Sequence, residues 1–308
     1  MKKTNIFILL LILIVSLFGC GNGNNDKKEE EEEFDYSNTV DIIVLAGQSN
    51  MEGNSLNSFL LSKGNKDMQD LYLNGFENTQ IMYCCARDKS NKSSSFESVK
   101  LGQGFNKNFF GPEIGIAEEW YLLERERPLY LVKYAVGGTS LYQDWNVINY
   151  GSLYHKLVMY VYDQILYFEE QGIRPIIRGL FWMQGEADSC NLNMTNNYAA
   201  NLNRFVESFR EQYEEEYGVP GKGIAFVDAG ISDSSDWPYY ELINQIKKDF
   251  ADSNPSKNYY FGTIEENLEY HLEGKKSDGS TDTYHYDATS ELELGKLFIS
   301  TLIDAGWL

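Results

Sequence analysis

Thr39-Val40-Asp41-Ile42-Ile43-Val44-Leu45-Ala46-Gly47-Gln48-Ser49-Asn50-Met51 is the stretch on which the reading of the fold turns. From Asp41 to Ala46 the run is continuous rather than alternating, the pattern of a strand covered on both faces. Gly47 closes it with a residue that tolerates a tight backbone path, and a polar Gln-Ser-Asn triplet follows at once. Comparable runs lie at Leu129 to Val136, Ile176 to Met183 and Gly223 to Val227, with a weaker one at Asn258 to Gly262. Helical patterns separate them. Pro112 to Glu126 begins with a proline suited to a first helical turn. Tyr154, Leu157, Val158, Val161, Ile165 and Phe168 form one apolar face at helical spacing, and Tyr198, Leu202, Phe205, Val206, Phe209 and Tyr213 form another. A last helix is expected from Ser290 to Ile303, with Ser290 and Glu293 spaced as a capping box. Alternating strand and helix predicts parallel pairing through crossovers, hence a three-layer α/β/α sandwich with a central parallel sheet, formed by one domain over residues 39–308. The polar stretch from Gly53 to Asn108 reads as loops and short helices decorating that sheet.

Hydrophobic residues make up 43 % of the chain and aromatics 14 %, enough for a large core without disulfides or metal. The formal net charge of −20 repels nucleic acid and anionic lipid surfaces, whereas a neutral acylated sugar is compatible with it. Lys2 and Lys3, the apolar run Ile6 to Phe18 and the ending Leu17-Phe18-Gly19-Cys20 resemble a bacterial lipoprotein signal, with residues 1–20 as signal peptide and Cys20 as the lipidated residue. A plain transmembrane helix is the competing reading, but the run is short against the roughly 20 residues a span needs. The expected location is therefore the bacterial cell envelope, lipid-anchored in the membrane and facing the periplasm or cell exterior. Residues 21–38, with five consecutive glutamates from Glu29 to Glu33, read as a flexible acidic tether. Among the remaining cysteines, Cys190 is free to pair with Cys84 or Cys85, and no paired Cys/His spacing suggests a metal site.

Ligands of an open parallel sheet bind beyond the carboxyl ends of its strands, and four unusual sequences fall there. Gly47-Gln48-Ser49-Asn50-Met51 puts a serine on the turn leaving a buried strand; a helix N-cap is the bland alternative. Gly137-Gly138-Thr139-Ser140 exposes backbone N–H groups suited to an oxyanion hole, or is a simple turn. In Trp182-Met183-Gln184-Gly185-Glu186-Ala187-Asp188, Gln184 offers an amide donor, and Glu186 a carboxylate to bind substrate or orient a histidine. Asp282-Thr283-Tyr284-His285 spaces an acid three residues before an imidazole, close enough to fix its tautomer. The other two histidines, His155 and His271, have no local acid partner of this kind.

Gly-Gln-Ser-Asn-Met, Gly-Gly-Thr-Ser-Leu, Trp-x-Gln-Gly-Glu-Ala-Asp and Asp-x-x-His, in this order, resemble the SGNH-hydrolase superfamily, and within it the acetyl xylan esterase and sialate O-acetylesterase-like group, carbohydrate esterase family 6. The resemblance spans residues 39–308 and implies a flavodoxin-like sandwich. It also implies Ser49 as nucleophile, His285 as general base and then acid, and Asp282 as orienting carboxylate, with Glu186 as the competing partner of His285. The implied oxyanion hole is the backbone N–H of Ser49, that of Gly138 or its neighbour Gly137, and the side chain of Gln184. Family members often carry Asp-Gly-x-His, whereas here Asp278-Gly279 lies further upstream.

The function these readings predict is a serine esterase that hydrolyses O-acetyl esters on carbohydrate, without cofactor. An esterase or lipase acting on other small esters is one alternative, and a non-catalytic carbohydrate-binding lipoprotein another. Trp145, Tyr142 and Trp237 are candidates for stacking on a sugar ring, with core packing as the competing role.

Overall fold

A computed structural model describes residues 34–63, 65–85, 87–268 and 282–308. The signal peptide, Cys20 and its tether as far as Glu33, His271 and Asp278-Gly279 lie outside the described residues.

The deciding stretch is the central strand. β1 (Thr39–Gly47) is flanked by β3 (Leu129–Ala135) on one side and β4 (Arg174–Met183) on the other, both parallel to it. β5 (Ala225–Ala229) and β6 (Asn258–Phe261) extend the β4 side, and β2 (Phe76–Cys85) lies outside β3, giving the order β6-β5-β4-β1-β3-β2. All of these neighbours run parallel; among the described residues two short segments, Asn91–Lys92 and Glu97–Val99, pair antiparallel with β2. β2 corrects the expectation of loops over residues 53–108. Its burial alternates along most of its length because it lies near the sheet's edge, so its periodicity is weaker than that of the central strands.

Neighbouring residues of two strands show the layers. Phe181 stacks on Phe298 of the last helix, while Trp182 packs on Phe205 of the helix Leu192–Tyr217. On β3, Lys133 pairs with Glu113 at the start of the helix Glu113–Leu122, while Tyr134 packs on Tyr160 of the helix Leu153–Glu169. Successive strand residues point to opposite faces, so helices cover both. The sandwich is the expected one.

The last helix runs Ala288–Asp304, two residues earlier than expected, because Asp287 rather than Ser290 is its cap: Ser290 N donates to Asp287 Oδ1 at 2.7 Å. Gly295 and Gly115 let this helix lie against the helix Glu113–Leu122, since a Cβ on Gly295 would stand 2.0 Å from the Pro112 carbonyl oxygen. Asp41, the one acid in the central strand, is held at the far end of the sheet by Arg127 and Arg178, at 2.5 and 2.6 Å. Cys84 and Cys85 are buried in β2 and Cys190 is exposed; all three are free thiols, so the disulfide considered from sequence does not form.

Register brings the strand ends level. Gly47 pairs with Ala135 and Met183, and Ala135 with Cys85. Gly47 has φ +151°, and a Cβ there would stand 2.0 Å from the Met183 carbonyl oxygen. Gly47→Ala is expected to cost at least about 2 kcal/mol, from positive φ and collision with backbone. An unchanged urea midpoint would contradict this.

Candidate active site

The loops leaving those level strand ends enclose a cleft of about 420 Å³. β1 contributes Gln48 and Ser49, β3 contributes Gly137 and Gly138, β4 contributes Ala187, and the segments after β5 and β6 contribute Trp237, Tyr284 and His285. Arg87 and Phe105, from the chain after β2, and Glu52 and Asn54, just after Ser49, also line it. All four sequence motifs thus reach one cavity, the third through Ala187 alone.

Ser49 opens a single helical turn, Ser49–Glu52, that hangs from the Gln48 carbonyl: Met51 N and Glu52 N donate to it at 3.0 and 2.7 Å. Below this turn, buried Lys133 donates from Nζ to the Glu52 carbonyl at 3.1 Å and pairs with Glu113 at 2.7 Å. The glycine pair lies alongside. A Cβ on Gly137 would stand 3.5 Å from Ser49 Cβ, whereas one on Gly138, at φ +65°, would meet nothing within 4 Å. Gly138 therefore faces open space.

His285 is held on several sides. Asp282 Oδ2 lies 2.8 Å from His285 Nδ1, and Asp282 Oδ1 accepts from the N–H groups of Tyr284 and His285 at 2.9 and 3.3 Å. A carboxylate facing Nδ1 keeps the proton there and leaves Nε2 with its lone pair. The neighbouring carbonyls are anchored to the serine loop: Asn50 Nδ2 donates to Tyr284 O at 3.3 Å, and Ser55 Oγ to Tyr286 O at 2.8 Å. Thr283 Oγ1 donates to Asp236 Oδ2 at 2.8 Å, and the Tyr284 ring packs on Trp237.

Two expected residues stand behind the wall. Gln184 is fully buried; its Nε2 donates to Asp188 Oδ2 at 2.6 Å, to Thr139 O at 3.1 Å and, at 3.3 Å, to Gln48 Oε1. With its amide so engaged, Gln184 does not present the oxyanion donor expected from sequence. It acts instead on the glycine turn, because Asp188 also accepts from Leu141 N and Tyr142 N at 2.7 and 3.0 Å. Glu186 is buried against Asn50, whose Nδ2 donates to its Oε1 at 3.0 Å. The Nδ1 of His285 meets Asp282 rather than Glu186. Asn50 and Asp188, given no role from sequence, thus tie the motifs together; their spacing within the motifs was visible, their partners were not. Of the candidate stacking aromatics, Trp237 lines the cleft, whereas Trp145 is buried and donates to Thr139 Oγ1 at 2.9 Å, so it is core. Tyr142 is half-buried beside Asn193.

An open parallel sheet with serine, glycine and histidine loops at its carboxyl edge defines an SGNH-like ester hydrolase. The chain belongs to the carbohydrate esterase, sialic acid-specific acetylesterase family, whose sequence profile matches residues 39–304, and it is a carboxylic ester hydrolase. Solved structures share the fold. NanS superposes with a TM-score of 0.61 at 11 % identity, over 87 % of this chain and 97 % of that one. A protein of Arabidopsis thaliana gives 0.59 at 17 % identity, over 86 % and 98 %. A carbohydrate acetylesterase from Xanthomonas citri gives 0.50 at 12 % identity, over 84 % of this chain and 55 % of its own. No match is found among curated protein sequences.

Several carboxyls behind the cleft are shielded from water. Burial pushes Glu186 up, against the pull of Asn50, Lys247 and His285, and pushes Asp188 up against its bond from Gln184. Burial likewise pushes Asp228 up to about 7, although Lys247 Nζ lies 2.7 Å from its Oδ1. An unfolded aspartate titrates near about 4. The folded protein thus holds this proton more tightly than the unfolded chain, so the contribution to stability is full below about pH 4 and fades as pH rises to about 7. Between these values the melting temperature of the wild type is expected to fall relative to that of Asp228→Asn. A relative rise would show that the ion pair outweighs burial.

Proposed function

We propose that the protein removes O-acetyl groups from carbohydrate through an acyl-enzyme on Ser49. The observation that carries this reading is the common cleft of Ser49, Gly138 and His285, with Asp282 at 2.8 Å from the Nδ1 of that histidine. His285 Nε2 takes the Ser49 proton as Oγ attacks the ester carbonyl. The developing oxyanion is met by the backbone N–H groups of Ser49 and Gly138, the latter on a turn open to the cleft. The sugar hydroxyl leaves with the proton from His285, and water then attacks the acyl-enzyme by the same route. Asp282 keeps the ring oriented and stabilises the imidazolium; Glu186, bonded to Asn50, holds the loop rather than the ring. Phe105 and Trp237 in the wall suit an acetyl methyl or a sugar face. Family membership supports the acetyl group and the carbohydrate.

Ser49→Ala is expected to abolish turnover of an aryl acetate while retaining the wild-type circular dichroism spectrum. Asp282→Asn should lower kcat by roughly 10³-fold or more, and Glu186→Gln by far less. Equal losses in the two acid variants, or activity persisting in Ser49→Ala, would overturn the roles assigned here.

We also propose that Cys20 carries a lipid anchor that holds the catalytic domain on the bacterial cell envelope. The basic start, apolar run and Gly19-Cys20 ending support this. Cys20→Ala should move the protein from the membrane fraction to the soluble one; unchanged membrane retention would refute the anchor.

A further inference from the structure

A second cavity, of about 290 Å³, adjoins the catalytic cleft, and Arg87 belongs to the walls of both. The two share a backbone as well: Val136 lines the second cavity and the next residue, Gly137, lines the first. Its charge runs against that of the molecule. The chain carries 46 acidic side chains against 26 basic ones, yet Arg87, Lys89 and Lys156 line this cavity with one carboxylate, that of Asp144. That carboxylate is already engaged. Its Oδ2 accepts from Ser140 N and Ser140 Oγ at 2.9 and 3.2 Å, and its Oδ1 stands 3.7 Å from Arg87 Nη1, too far for a hydrogen bond. The Arg87 side chain is 68 % exposed, and Lys89 and Lys156 form no ion pair among the described residues.

The uncharged part of the wall has the chemistry of a sugar site. Gln143 and Asn149 present side-chain amides, and Tyr150, fully exposed, offers a ring face at the rim beside His155. Amides match hydroxyl groups, an aromatic face matches the C–H face of a pyranose, and cations match a carboxylate. Lys89 and Lys156 line this cavity and not the catalytic cleft, so the carboxylate they would meet sits on a different sugar unit from the one carrying the ester.

We infer that this cavity is a subsite for a carboxylate-bearing sugar unit next to the acetylated one, so that the substrate is an acidic oligosaccharide or polysaccharide. The inference rests on the proposed ester hydrolysis for the assignment of the neighbouring cleft. In this arrangement the cations select an acidic chain by attraction at close range, and the selectivity weakens with salt because all three are solvent-facing.

The test compares three substrates: a neutral acetylated xylo-oligosaccharide, the same chain with a glucuronic acid unit beside the acetylated xylose, and a monomeric O-acetylated sialic acid. The wild type should show a KM about tenfold lower for the acidic oligosaccharide than for the neutral one at low salt, with the difference shrinking toward 0.5 M salt, roughly the regime where surface charges are screened. In the double variant Lys89→Glu/Lys156→Glu this preference should vanish, and the loss on the acidic oligosaccharide should exceed that on the monomer. Equal KM values for acidic and neutral oligosaccharides in the wild type would overturn the subsite. So would an equal loss on the monomer, which would put the recognised carboxylate on the acetylated sugar itself. Calorimetric titration of the deacetylated acidic oligosaccharide into Ser49→Ala, with and without the two lysine substitutions, separates this inference from the esterase reading. Lysine-dependent binding without turnover in the wild type would sink the esterase and keep the subsite, and turnover without such binding would do the reverse.

Discussion

The catalytic edge depends on the contact between Gly47 and the Met183 carbonyl oxygen. At this point β1 touches β4 so closely that a Cβ would stand 2.0 Å from that oxygen, while Gln48 N donates to it at 2.9 Å. On the other side Val136 N donates to Gly47 O at 3.1 Å. One glycine thus sets the ends of three central strands against each other. The loops that leave them carry the proposed nucleophile, the open glycine turn and the Gln184–Asp188 brace.

Behind that edge, polar side chains do the shaping. Asp188 accepts from Leu141 N and Tyr142 N, holding the chain just after the glycine turn, and Gln184 links it to Thr139 O. Lys133 reaches up to the Glu52 carbonyl from a site where it and Glu113 are wholly buried. Buried charges are a poor source of stability, because desolvation offsets their attraction. Their directional bonds nevertheless set a backbone more narrowly than apolar packing does, which suits groups that must meet a reacting carbonyl within a fraction of an ångström. The same logic joins the two halves of the site. Asn50, next to Ser49, bonds both Glu186 and the carbonyl preceding His285, so serine and histidine are referred to one side chain.

The parts of this fold that were legible in the sequence are those with strong local signals. The continuous apolar runs announced β1, β3 and β4 because both faces of each are covered. β2 escaped, since a strand near the edge alternates and sits in a polar stretch, although Ile81-Met82-Tyr83-Cys84-Cys85 is an apolar run in its own right. The cap of the last helix is Asp287 rather than Ser290: its carboxylate accepts from the Ser290 N–H and so starts the helix earlier. Trp145 reads as a possible sugar platform until its indole is seen donating to Thr139 inside the core.

What the sequence determined by itself is the parallel sheet and the order of its motifs along one edge, because those are local signals; it left the acid partner of His285 open between Asp282 and Glu186. What only the tertiary structure decided is which polar groups face the cleft. Gln184 and Glu186 are separated from Ser49 by more than a hundred residues of chain, and a buried amide or carboxyl turns toward whichever partners the fold brings to it. For Gln184 those partners are Asp188, Thr139 and Gln48, and for Glu186 the partner is Asn50. A motif names the residue types, but only packing settles the direction in which each side chain points.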